Sequence, residues 1–110
     1  MAYQHESLAA GRWRTMTLAE QMGNIGSEVN RMLSWGKRHQ YEQQEKSFVR
    51  MLELLDFTLD DDRWRGPRRK EIARVREALC DSFTGGIMGG PLSSWPRYFD
   101  AFAFFARSKK

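Results

Sequence analysis

The sequence predicts an all-α fold, an antiparallel up-down-up-down four-helix bundle. Three observations carry this: apolar residues recur at steps of three and four in four segments, glycine and proline punctuate the gaps, and the gaps are short. Short connections between helices of several turns make sequential helices antiparallel neighbours.

Leu18, Met22, Ile25, Val29 and Met32 form the first stripe, along a helix predicted over 17–35. Thr17-Leu18-Ala19-Glu20 has the spacing of a capping box, in which hydroxyl and carboxylate exchange bonds with each other's backbone N–H. Gly36 reads as the stop. Gly23 and Gly26 share one flank, where another backbone can approach closely. In the second segment Tyr41, Phe48, Leu52, Leu55 and Leu59 form the face, widened by Met51 and Leu54, over 40–59. Gly66-Pro67 then opens a third helix, since proline in a first turn lacks an N–H that would have no intrahelical partner anyway. Its stripe is Ile72, Val75, Leu79 and Phe83. Four glycines between Thr84 and Pro91 read as a mobile connector. Ser93 and Ser94 are candidate caps for a fourth helix with Pro96 near its first turn and an aromatic face of Tyr98, Phe99, Phe102 and Phe105.

A chain of 110 residues is expected to form one domain, with 1–14 and 107–110 as flexible or peripheral ends. The single cysteine, Cys80, cannot form an internal disulfide, and no signal-peptide pattern follows the first methionine, so a cytoplasmic location is expected. The longest apolar cluster, Ala101 to Ala106, is too short to span a bilayer, and no membrane partner is expected.

The net charge of +4 is unevenly placed. Arg63, Arg65, Arg68, Arg69, Lys70, Arg74 and Arg76 stand against Glu71 alone between positions 63 and 76, leaving the rest of the chain mildly acidic. In the predicted bundle the approach to the first helix, the second connection and the end of the fourth helix share one pole. Arg12-Trp13-Arg14, Arg63-Trp64-Arg65, Arg107, Lys109 and Lys110 would meet there. Cations beside flat aromatic faces are what single-stranded nucleic-acid binding requires. Trp13 and Trp64 read first as covers for the open end of the core with arginines over their faces, and alternatively as stacking platforms. Asp60, Asp61 and Asp62, unfavourable at a helix C-terminus, can face Arg68, Arg69 and Lys70, unfavourable at a helix N-terminus.

No catalytic or metal constellation emerges. His39 precedes Glu42 without a second copy of the pair, so a di-metal site of the bundle type has too few ligands, and no metal or cofactor is expected. Cys80 has no histidine at helical spacing to activate it, and 84–91 lacks the Gly-Lys-Ser/Thr ending of a phosphate-cradling loop. Glu42, Glu45, Glu53 and Asp56 share a flank whose natural partners are Arg74, Arg76 and Arg31. Arg76 lies close to its helix's apolar stripe, so its stem should be partly buried and paired with Glu28, Glu45 or Asp56.

"LAEQMGNIGSEVNRMLSW", "FVRMLELLDFTLDDDRW" and "KEIARVREALCDSF" resemble a family of short bacterial helical proteins without assigned function, mainly through the NIGSEV and REALCD stretches. The resemblance implies a compact helical domain and supplies no catalytic residues. The architecture also resembles helical ribonucleases of the HEPN class, but their signature arginine followed shortly by histidine is missing, since Arg31 lies too far from His39 and Arg38 adjoins it. In size, helix count and charge alone, the chain is similar to basic bundles accompanying ribosomal RNA insertions or diversity-generating reverse transcriptases. The expected function is non-enzymatic binding of RNA or single-stranded DNA through Arg12, Trp13, Arg14, Arg63, Trp64, Arg65, Arg68 and Arg69. The alternative is a protein-interaction or homo-oligomerisation module, or a contact for an acidic protein, with Phe57 and Phe104 exposed as its interface.

Overall fold

The computed structural model describes residues 11–86 and 90–108, and every regular element among them is helical. Four helices pack around one core: α1 (Leu18–Lys37), α2 (Tyr41–Leu59), α3 (Pro67–Phe83) and α4 (Trp95–Ser108). Single 3-10 turns precede α1 (Arg12–Thr15), α3 (Asp62–Trp64) and α4 (Leu92–Ser94).

The start of α1 follows from its sequence. Thr17 Oγ1 accepts from Glu20 N at 3.1 Å, and Glu20 Oε1 accepts from Thr17 N at 2.9 Å, so both halves of the box are made. The end differs from expectation, because Gly36 lies inside the helix. A Cβ on Gly36 would fall 2.5 Å from Gln44 Nε2, and that amide donates to Met32 O at 3.1 Å. Gly36 therefore makes room for the Gln44 amide of α2. Gly26 does the same for α4, since a Cβ there would lie 2.5 Å from Phe99 Cβ.

The core is built from Trp13, Met22, Ile25, Val29, Met32, Met51, Leu54, Leu55, Trp64, Ile72, Val75, Leu79 and Phe99. On α2 the buried face is Ser47, Met51, Leu54, Leu55 and Thr58, turned from the expected one, so Phe48, Leu52 and Leu59 are only half-buried and Tyr41 is exposed. Phe48 stacks on Phe83 at 4.1 Å between α2 and α3. Trp95 Nε1 donates to Ser82 Oγ at 2.9 Å, docking the start of α4 on the end of α3. Gly66, at φ 87, occupies a backbone conformation that a side chain would disfavour, and Pro67 then begins α3 as predicted.

Glu28 is buried on α1, where it accepts from Arg31 and, at 3.2 Å, from Arg50 of α2. Arg76 is half-buried, as expected, and pairs with Asp56, one of its expected partners, at 2.9 Å. Arg74 pairs instead with Glu71 of its own helix at 3.0 Å. Residues 11–14 are not a peripheral end: Trp13 is fully buried. No helix among the described residues is long and apolar enough to cross a membrane.

Candidate nucleic-acid interface

The two Arg-Trp-Arg triplets meet, and Gln21 joins them. Its Nε2 donates to Trp13 O at 2.8 Å and to Asp61 Oδ2 at 3.1 Å, while its Oε1 accepts from Trp64 Nε1 at 2.9 Å. Trp13 Nε1 donates to Thr58 Oγ1 at 2.9 Å. A carboxamide with no exposure can sit here because both its donor and acceptor ends are satisfied. The backbone reinforces the junction: Arg14 Nη2 donates to Asp60 O at 3.2 Å and Arg63 Nη2 to Met16 O at 2.8 Å.

This junction settles the two readings of the tryptophans. Trp13 is 1% exposed and Trp64 9%, and each indole N–H is used inside the protein. They cover the end of the core and offer no free face for a base to stack on. Arg63 lies 4.5 Å from the Trp64 ring centroid and Arg68 5.7 Å.

The acids pair differently from expectation. Asp61, 2% exposed, accepts from Arg63 Nε at 3.0 Å, Arg63 Nη2 at 2.7 Å and Arg63 N at 3.1 Å. The guanidinium and, secondarily, Gln21 and the Arg63 amide hold the carboxyl down at about 2 against the opposing effect of burial. Arg63 is thus a structural cation and is withdrawn from the candidate contacts. Asp62 takes Arg65 at 3.1 Å on open surface. None of the three aspartates forms an ion pair with Arg68, Arg69 or Lys70, since Asp61 and Asp62 pair with arginines of their own turn.

Arg12, Arg68, Arg69 and Lys70 consequently form no ion pair among the described residues, and Arg14 spends its charge only on a carbonyl. Arg12, Arg14, Arg65, Arg68 and Lys70 are exposed; Arg69 is half-buried, with its Nε lacking an acceptor. Arg12 and Arg14 on the turn before α1 and Arg68, Arg69 and Lys70 in the first turn of α3, none with a carboxylate partner, can meet phosphates of one strand. Arg107, Lys109, Lys110 and Phe104 fall outside the described side chains. Phe57, expected to be exposed, is half-buried against its own core, which removes the anchor of the oligomer interface.

No family model, curated protein or solved structure matches this chain. The pole's geometry is therefore what bears on its use. Among the described residues, no group of three or more His, Cys, Asp or Glu is placed to hold a metal ion. Sequence reasoning missed Gln21, although its spacing offered a signal: 18, 21, 22, 25, 28, 29 and 32 continue one stripe, with Gln21 and Glu28 as polar members at buried positions.

Proposed function

We propose that this chain is a non-enzymatic, cytoplasmic helical bundle that holds RNA or single-stranded DNA by its phosphate backbone. The contacts are Arg12, Arg14, Arg65, Arg68, Arg69 and Lys70, with Arg63, Trp13 and Trp64 as the frame that positions them. The observation that carries this reading is the junction of both triplets on Gln21, around which Arg12, Arg14, Arg68, Arg69 and Lys70 have no carboxylate partner and Arg65 shares only the exposed Asp62.

We also propose that the four helices follow an antiparallel up-down-up-down path. Support comes from contacts that join the start of α1 to the connection just after α2, Gln21 to Asp61, and the end of α1 to the start of α2, Met32 to Gln44. On α2 and α3, Arg76 meets Asp56 while Phe83 meets Phe48.

The test is the salt dependence of binding. A strand neutralised at this pole releases counterions, so log K falls with log salt at roughly 0.7 per phosphate contact. Replacing Arg12, Arg65, Arg68 and Lys70 together by alanine is expected to reduce the slope by about 3 and weaken binding at low salt. An unchanged slope in a variant with wild-type circular dichroism would remove the reading.

A further inference from the structure

At the far end of α1 the chain turns into α2 through a Schellman closure. Gln40 N donates to Trp35 O at 2.9 Å and His39 N to Gly36 O at 3.1 Å. This closure places the residue just past the helix in the left-handed region, and His39 occupies it at φ 58. Glycine is the usual occupant, because a Cβ is penalised there. No other non-glycine residue among those described has positive φ. The imidazole is thus kept at a position where backbone stability favours its removal, a pattern found where a side chain serves a function.

What surrounds that imidazole indicates its use. His39 Nδ1 lies 2.8 Å from the Tyr41 hydroxyl, with the two rings edge to face at 5.9 Å. Tyr41 is 61% exposed, leaving its ring open to solvent. The Arg38 guanidinium lies 4.1 Å from the centroid of the Trp35 ring. Lys37 and Arg38 are exposed and form no ion pair among the described residues. Residues 35–41 thus present planar groups and uncompensated positive charge on one short segment.

We infer that this turn is a second binding surface, which takes the unpaired bases of a single-stranded nucleic acid by stacking and its phosphates through Lys37 and Arg38. An acidic peptide or free phosphate would answer the cations and leave the rings in water, whereas a base attached to a phosphate uses both. The inference rests on the proposed function for its class of partner. It moves the base contacts from the buried tryptophans to a site separated from them by the 20 residues of α1, roughly 30 Å.

The experiment compares two labelled strands of roughly 16 nucleotides, oligothymidylate and an abasic strand of equal charge, by fluorescence anisotropy. Tyr41→Ala and His39→Gly are expected to weaken oligothymidylate binding by roughly 5- to 100-fold and to leave abasic-strand binding unchanged. His39→Gly is also expected to raise the melting temperature by roughly 2–6 °C, because it relieves the left-handed Cβ. A more stable yet weaker binder cannot be explained by unfolding. Wild-type affinity of both variants for oligothymidylate, or equal losses on both strands, would overturn the inference. If the wild-type protein binds neither strand, the basic-pole reading falls as well. If only the Arg12, Arg65, Arg68 and Lys70 variant weakens both strands, the pole reading survives and this one fails.

Discussion

Gln21 meets three groups from two other segments: the Trp13 carbonyl, the Asp61 carboxylate and the Trp64 indole. Truncation would leave an indole N–H buried without an acceptor and a void beneath it. Gln21→Ala is therefore expected to lower the free energy of unfolding by about 2–4 kcal/mol, measured by urea titration. Asp61 gives a pH dependence of defined sign. Its native pKa of about 2 lies below the unfolded value near 3.8, so its contribution is fully present above the unfolded value and is lost as pH falls through the native one. Asp61→Asn is expected to remove about 2 kcal/mol at neutral pH and to flatten acid unfolding between about pH 4 and 2. These residues were poorly legible because periodicity counts residue types. Whether a buried glutamine is tolerated depends on partners roughly 40 positions away, which spacing along one helix cannot reveal.

The helices show the same contrast between local and distant causes. Thr17 and Glu20 cap α1 within four residues of sequence, and that start was readable; Thr17→Ala is expected to cost about 1 kcal/mol in thermal unfolding. On α2 the face turned, because Ser47 and Thr58 are buried with their hydroxyls occupied. Thr58 donates to Leu54 O at 3.1 Å and accepts from Trp13, while Ser47 accepts from Arg50 at 3.0 Å. A reading by hydrophobicity therefore placed Tyr41 inside, although its helix turn leaves it outside. At Gly26 on α1 the expected close approach is made by the side chain of Phe99 of α4 rather than by a backbone. Gly26→Ala brings a methyl group against the Phe99 Cβ, so α4 must shift. The expected loss is about 1–3 kcal/mol, checked by calorimetry.

For the molecule as a whole, charge is distributed by what the core demands first. The core end takes Trp13 and Trp64, the junction takes Asp61 and Arg63, and the cations left over define the candidate surface. The meeting of the two triplets was legible, since it follows from helix count and connection length. Which cations would be left over was not, because that depends on side-chain pairing within a single turn. The most direct test is an NMR titration of the labelled full chain with an abasic phosphodiester strand, which engages phosphate contacts without offering bases to stack. Concerted amide shifts at 12–14 and 65–70, fading as salt is raised, are the expected result. Shifts that leave both triplets untouched, or that persist unchanged at high salt, would contradict the account.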